Sequence, residues 1–248
     1  MNGAGSVNSA GGERAPAAGV RTVPAAEEGA TRVVLVRHGE SVCNIAGVVG
    51  GHAGCTGLSP AGVSQVEALR SRLAVTGELA GAVALYSSVI PRAVQTASII
   101  RPVIGGGRLE VVQDCGLCEL HPGEADGLSW GELAERFGEP DWDEDPTSVL
   151  APGGESWSGF VDRASAAVEE VALRHQGGTV VIACHAGVVE ATVLAFLPIG
   201  AGRHRLGLRT SYASLTEWEL RDRDSTSSDA RRGWRLCRFN DGRHLLAG

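Results

Sequence analysis

Two arginines and two histidines stand where predicted strands give way to loops or helices. Arg37 and His38 end the apolar run VVLV, Arg92 lies one turn into the helix after a second strand, and His185 follows a later strand. Because ligands of open α/β sheets bind at the carboxyl ends of strands, we expect these side chains to converge on one edge. Arginine forks match phosphoryl oxygens, and a neutral imidazole is a nucleophile near pH 7. The four residues therefore predict an anion cage suited to phosphoryl transfer.

Each of these residues also has an ordinary structural interpretation. A lone histidine at a strand end is more often a hydrogen-bonded structural residue than a catalyst, and an arginine there usually reaches solvent. The convergence of all four at equivalent strand ends favours the functional interpretation.

Apolar strands alternate with helical patterns over most of the chain, which predicts an α/β fold, a three-layer α/β/α sandwich with a mainly parallel sheet. The first strand lacks polar alternation, as is typical of a central parallel strand. We predict strands at Thr31–Arg37, Ala82–Ser88, Leu109–Gln113, Thr179–Cys184, Ser214–Leu220 and Trp234–Phe239, the last two separated by a polar loop at 221–233.

Helix signals fill the intervals between these strands. Ser59 and Pro60 begin a helix whose apolar face is predicted to comprise Val63, Val66, Leu69 and Leu73. Ser129 and Glu132 form a plausible capping box. Further helices are predicted at Pro91–Ile100, Ser156–His175 and Val188–Leu197, and the irregular segment 138–154 is long enough to be functional.

Composition limits the class of protein. The chain has 248 residues, a net charge of −7 and no lysine, since all 22 basic residues are arginine. The negative charge argues against a broad surface for nucleic acid or anionic lipid, and no run approaches the roughly 18 apolar residues of a membrane span. Residues 1–30 predict a flexible leader and 31–248 a single domain. We expect a cytoplasmic protein without nucleic-acid or membrane partners.

Six scattered cysteines do not suggest a disulfide scaffold in a chain of this length. Cys115 and Cys118 have the spacing of zinc or redox pairs, but no second pair of similar spacing follows, so we expect ordinary reduced thiols. His52 and His121 lie in loops that could reach a substrate's leaving group, although a surface or structural role is the more common one.

The ordered sequence blocks resemble the histidine phosphatase superfamily, in its phosphoglycerate-mutase-like group. The block VRHGESVCN resembles the signature whose histidine is phosphorylated. The blocks SSVIPRAVQTA, LCELHPGEADGLSW and ACHAG resemble, in chain order, those that supply a phosphate-binding arginine, the proton donor and the second histidine. The resemblance implies three catalytic residues, His38, Glu119 and His185, and three phosphate ligands, Arg37, Asn44 and Arg92.

The resemblance also implies a mechanism that requires no metal and no cofactor. His38 attacks phosphorus, Glu119 protonates the leaving oxygen, and water later releases phosphate. Because Gly39 has no side chain, we expect it to leave space for the phosphoryl group to approach closely. Glu124 and Asp126 are rival proton donors, although turn chemistry beside glycines explains them equally simply.

The predicted function is a phosphomonoesterase for a small phosphorylated metabolite. The alternatives are a phosphoglycerate mutase, or an inactive member that binds a phosphorylated ligand. The lysine of the family's cofactor-dependent mutases is replaced here by Trp130, and the acidic stretch after it contains only Arg136 as a cation. Arg203, Arg205 or Arg209 could still supply positive charge. Trp130, Trp142 and Trp157 are candidate walls of a pocket, and a homodimer is possible.

Overall fold

The computed structural model describes residues 29–197, 206–221 and 233–246, together with Met1 and Ile199. Most of the predicted leader, most of the polar loop at 221–233, and the arginines at 203 and 205 lie outside the described residues. None of the described helices is long and apolar enough to cross a lipid bilayer.

A six-stranded sheet crosses the described part of the chain in the order β3-β2-β4-β1-β5-β6. The central strand β1 pairs in parallel with β4 and antiparallel with β5. The predicted mainly parallel sheet is confirmed, since the β2–β3 and β2–β4 pairings are also parallel. The strands are β1 (Thr31–Arg37), β2 (Ala84–Ser87), β3 (Val111–Gln113), β4 (Thr179–Cys184), β5 (Leu215–Arg221) and β6 (Gly233–Asp241).

Helices cover both faces of this sheet, which explains why β1 is apolar without alternation. Val33 and Leu35 pack into the core beneath α5 (Trp157–Arg174) and α6 (Ala186–Phe196). Val34 and Val36 pack into the core beneath α2 (Pro60–Thr76) and α3 (Pro91–Ile100). All four side chains are fully buried. The described α-helices are α1 (Val42–Ala46), α2 (Pro60–Thr76), α3 (Pro91–Ile100), α4 (Trp130–Phe137), α5 (Trp157–Arg174) and α6 (Ala186–Phe196).

Two predicted helix starts are confirmed by their caps, whereas α6 begins at Ala186, two residues before the predicted Val188. Ser59 accepts a hydrogen bond from the Gly62 N–H before α2, and Ser129 forms the complete capping box of α4. The predicted apolar face of α2 is wrong at Val63, which is 40% exposed. Residue 63 lies about 90° around the helix from the centre of the buried stripe, beyond the sheet's cover.

A buried ion-pair network fastens the antiparallel strands to the central one, at the end of β1 opposite His38. Glu217 on β5 accepts from Arg32 Nε at 2.5 Å and Nη2 at 3.0 Å. It also accepts from Arg238 Nη2 at 2.7 Å, and Arg238 reaches Glu78 at 2.7 Å. The Glu217 carboxylate is only 1% exposed, so its two cations are essential partners.

We expect Glu217→Gln to lower the free energy of unfolding by about 3–5 kcal/mol, because it removes the buried carboxylate that Arg32 and Arg238 share. The substitution leaves Arg32 without the carboxylate it contacts, while Arg238 keeps Glu78 and Asp241. Equilibrium denaturation measures this loss. The matched control is Glu170→Gln, which breaks an exposed pair with Arg174 and should change the free energy of unfolding little. Equal small losses in both variants would contradict a stabilising role for the buried network.

Candidate active site

The parallel strands bring the predicted chemistry to one edge of the sheet. His38 follows β1, Ser88 follows β2, and His185 follows β4, while Arg92 lies in the first turn of α3. The two imidazole rings are 5.2 Å apart between centroids. His38, Arg92 and His185 are all buried. The convergence expected from the sequence is therefore present in the fold.

The partners of His38 define its tautomer. Nδ1 lies 2.6 Å from the Gly39 carbonyl oxygen, which can only accept, so Nδ1 carries the proton. Nε2 lies 3.1 Å from Arg92 Nε, which can only donate, so Nε2 presents a lone pair. Burial, followed by the charge of Arg92, lowers the pKa of His38 well below its ordinary value. His38 is thus neutral at pH 7 and carries a lone pair on Nε2.

Gly39 has a different reason for being glycine from the one expected. A Cβ at this position would lie 2.5 Å from the Gly62 carbonyl oxygen and 2.8 Å from the Val66 side chain. The residue therefore allows β1 and α2 to pack closely. The expected role, space for an approaching phosphoryl group, is not what the structure requires of it.

Arg92 is held from two sides. Its Nη1 donates to the Gly50 carbonyl oxygen at 2.6 Å, while Nε faces His38. Only 5% of the residue is exposed. The loop that follows α1 therefore wraps the arginine and fixes the direction of its guanidinium.

Arg37 lies against residues that sequence reasoning missed. Its guanidinium carbon is 4.1 Å from the centroid of the Tyr212 ring, and its Nη1 donates to the Thr210 carbonyl oxygen. Burial lowers the pKa of Arg37 from its ordinary value. Because β5 runs antiparallel to β1, the segment before β5 lies at the carboxyl end of β1. An antiparallel assignment for this strand is the signal that would have found Thr210 and Tyr212.

His185 lies beneath the cavity and does not line it. Its Nε2 is 2.8 Å from Ser88 Oγ, and Ser88 Oγ accepts from the Ile90 N–H at 3.0 Å. Its Nδ1 is buried and has no hydrogen-bond partner. Burial, together with the charge of Arg92, lowers the pKa of His185 well below its ordinary value. In the tautomer in which the Ser88 hydroxyl donates to Nε2, the proton lies on Nδ1, which is then a buried donor without a partner.

Glu119 faces the same cavity from the opposite segment. One carboxylate oxygen accepts from the Gly187 N–H at 3.1 Å and the other from the Leu120 N–H at 3.1 Å. A Cβ at residue 187 would collide with this carboxylate, so glycine there makes room for it. The position of Glu119 is therefore set by the backbone of the turn that follows His185.

The rival carboxylates are placed differently. Asp126 accepts the N–H groups of Gly51, Ala53 and Gly54, each at 2.8 Å, and so anchors the loop around Arg92. Glu124 is exposed. Neither residue is among those that line the cavity. Their turn interpretation is the one that the geometry favours.

A cavity of about 600 Å³ opens above these groups. Arg37, His38, Arg92 and Glu119 line it, and Asn44 does so from the short helix α1, which sequence analysis did not predict. Its capping residue, Ser41, and the left-handed Gly47 at its end were the available signals. The remaining lining includes the three candidate tryptophans and two further carboxylates, namely Trp130, Trp142, Trp157, Glu139 and Glu190.

His52 and His121 do not line this cavity. They lie against each other, with ring centroids 5.4 Å apart, and both approach the thiol of Cys115. The expectation that they could reach a leaving group is not met.

Comparison with known proteins agrees with this geometry. A model of the histidine phosphatase superfamily (branch 1) matches residues 33–230. A metal-independent phosphoserine phosphatase of Arabidopsis thaliana is 32% identical over 224 residues, or 88% of this chain and 85% of the relative. Phosphoglycerate mutase-like protein 4 of the same plant is 33% identical over 162 residues, or 64% of this chain and 68% of the relative.

A solved structure has the same fold. The mycobacterial glucosyl-3-phosphoglycerate phosphatase superposes with a TM-score of 0.68 at 25% identity, covering 85% of this chain and 99% of that one. The predicted fold and phosphatase class are confirmed, and the chain belongs to branch 1 of the histidine phosphatase superfamily.

Proposed function

We propose that this chain hydrolyses a small phosphomonoester through a phosphohistidine on His38. The observation that carries the assignment is the lone pair of His38 Nε2, which lies against the Arg92 guanidinium at the base of a cavity lined by Glu119. This arrangement sets a nucleophile, an anion-binding group and a proton donor around one point. It supports the roles that the family resemblance implied.

The first step transfers the phosphoryl group to the enzyme. The Nε2 lone pair forms the N–P bond as the P–O bond to the leaving alcohol breaks, and Glu119 gives its proton to the departing oxygen. Arg37 and Arg92, which line the cavity, stabilise charge on the equatorial phosphoryl oxygens. His185 lies beneath them and can act as a further donor through Nδ1 only in the tautomer in which Ser88 donates to its Nε2. Asn44 at the rim supplies a further polar contact.

The second step returns the enzyme to its starting state. The Glu119 carboxylate takes a proton from water as the water oxygen attacks phosphorus, and the N–P bond breaks to regenerate neutral His38 and release phosphate. The positive charge that both steps need comes from the guanidinium groups.

The charges around the cavity favour hydrolysis over isomerisation. A mutase must retain a multiply charged intermediate while that intermediate reorients in the site. Retention requires cations in addition to those that bind the phosphoryl group. Among the described residues, the cavity is lined by only two arginines, Arg37 and Arg92, but by three carboxylates, Glu119, Glu139 and Glu190. Trp130 occupies part of the wall, and Arg136 pairs with Glu132 outside it.

The same lining indicates the class of leaving group. Trp130 presents an exposed ring in the wall, and Trp142 stacks on the buried Trp157 beside it. These apolar walls suit an aliphatic or sugar-like body, and carboxylates accept hydrogen bonds from hydroxyl or amino groups. The names of two relatives, a phosphoserine phosphatase and a glucosyl-3-phosphoglycerate phosphatase, fit such leaving groups. We therefore propose O-phospho-L-serine and glycosylated phosphoglycerates as the first substrates to test.

Phosphoryl transfer to the enzyme is expected on His38, because its Nε2 carries the lone pair. Quenching a turnover reaction at alkaline pH and sequencing the peptides by mass spectrometry should locate an acid-labile phosphate on this residue. The His38→Ala variant is the control and should carry no acid-labile phosphate. Phosphate found on His185 instead would reverse the roles of the two histidines.

Arg92→Ala is expected to lower kcat/KM by about 10²–10³-fold, or about 3–4 kcal/mol, because one preorganised donor to the phosphoryl oxygens is lost. The pKa of His38 should rise once the neighbouring positive charge is gone, so the acidic limb of the kcat/KM profile should move to higher pH. Arg101→Ala, at the exposed end of the same helical segment, is the control and should leave both quantities unchanged. An unaltered Arg92→Ala profile would remove this arginine from the pocket.

Hydrolysis is expected to exceed isomerisation. The assay supplies 3-phosphoglycerate with and without 2,3-bisphosphoglycerate and follows free phosphate beside 2-phosphoglycerate, with O-phospho-L-serine in parallel. Phosphate should be the main product because the cavity lacks extra cations to hold a bisphosphorylated intermediate. Formation of 2-phosphoglycerate faster than phosphate release would identify a mutase instead.

A further inference from the structure

A cluster of two thiols and two imidazoles lies outside the catalytic cavity. One ligand atom from each of His52, Cys115, Cys118 and His121 lies within 4.8 Å of the others. Cys115 Sγ is 3.7 Å from His52 Nε2 and 3.5 Å from His121 Nε2, and Cys118 Sγ is 3.8 Å from His52 Nε2. Ligands bound at about 2.0–2.3 Å to a tetrahedral zinc ion are about 3.3–3.8 Å apart. We propose that these four residues bind one Zn²⁺ ion.

The turn that presents the thiols is already formed. The Cys118 N–H donates to the Cys115 carbonyl oxygen at 3.0 Å, and Asp114 accepts from the Gly116 N–H at 2.7 Å. The Arg163 guanidinium contacts three carbonyl oxygens of this turn at 2.9–3.2 Å. The backbone that carries both thiols is therefore fixed by hydrogen bonds, and the two sulfur atoms already lie within reach of the imidazoles.

His121 has the surroundings of a metal ligand. Its Nε2 faces Cys115, while Nδ1 on the other side of the ring lies 3.5 Å from a carboxylate oxygen of Glu155. Glu155 is fixed in turn by two 2.7 Å bonds from Arg163. A histidine that binds zinc typically gives its other N–H to a carboxylate, which orients the ring toward the ion.

The donor set favours zinc and a structural site. Thiolate and imidazole ligands in a tetrahedral arrangement suit Zn²⁺ better than hard cations such as Mg²⁺ or Ca²⁺. Four protein ligands leave no open position for substrate, as in structural rather than catalytic zinc centres. None of the four residues lines the catalytic cavity, so the ion takes no part in the phosphoryl-transfer steps.

The position of the site explains what such an ion would stabilise. His52 belongs to the loop whose Gly50 carbonyl oxygen holds Arg92, and Glu119 directly follows Cys118. Zinc therefore ties the loop around the phosphate-binding arginine to the segment that carries the proton donor. Asp126 holds the same loop independently of the ion, because it accepts three of the loop's N–H groups.

The first measurement is the metal content of untagged protein purified without chelators. Elemental mass spectrometry should find one zinc ion per chain. Removal of the zinc with a strong chelator should lower the melting temperature, because the ion binds only the folded state. Cobalt added to the stripped protein should give the visible bands of a tetrahedral site and a near-ultraviolet thiolate-to-metal band. These readouts do not depend on turnover, so failure of the proposed phosphatase activity would leave them intact.

Variants separate the site from incidental binding. Cys115→Ser and His121→Ala should each abolish the stoichiometric zinc, and Glu155→Gln should weaken zinc binding about 10–100-fold. Cys237→Ser is the matched control, since this thiol lies on β6 at the opposite edge of the sheet from β3, and it should bind zinc like the wild type.

Three results would overturn the proposal. They are substoichiometric zinc in protein refolded with excess zinc, wild-type zinc affinity in Cys115→Ser, and a Cys115–Cys118 disulfide in protein kept under reducing conditions. Alkylation gives a check on unmodified protein, because bound zinc should protect the exposed Cys115 and chelation should expose it. Rapid alkylation of Cys115 that zinc does not slow would also count against the site.

Discussion

The contact between Arg92 and His38 is the interaction on which the catalytic geometry depends. A buried imidazole next to a guanidinium resists protonation, so its lone pair remains available, and the guanidinium N–H points to where that lone pair lies. The Gly39 carbonyl oxygen fixes the opposite nitrogen. Burial, Arg92 and the Gly39 carbonyl oxygen together set the protonation state and the tautomer of His38.

The position of this pair depends on glycines at which neighbouring segments approach closely. Gly39 lets the end of β1 pack against α2, and Gly187 lets Glu119 rest on the first turn of α6. The loop around Gly50 completes the arrangement by accepting from Arg92, and Asp126 holds that loop in place. Glycines and backbone amides thus position the charged groups more than side-chain packing does.

The two ends of β1 divide stability from chemistry. Arg32 at its start joins the buried network of Glu217 and Arg238, in which every charge has a partner at short range. Arg37 at its end stacks on Tyr212 and faces the cavity. A charged group that is fully paired stabilises the fold, whereas one left open to a ligand is available for binding. The proposed zinc site would add a second anchor, outside the cavity.

The sequence by itself determined the α/β class, most strand and helix positions, and the convergence of His38, Arg92 and His185. These follow from local periodicity, from capping residues and from the rule that parallel strands end at one edge. The roles of Glu119 and Asn44 came from the family resemblance, since neither spacing nor charge singled them out.

Only the tertiary structure decided the rest. Tyr212 reaches Arg37 because β5 is antiparallel, an orientation that residue patterns alone do not specify. Val63 is exposed because the width of the buried stripe depends on what packs against it. His52 joins Cys115, Cys118 and His121 across more than sixty residues of chain, and no local spacing encodes where two distant loops meet.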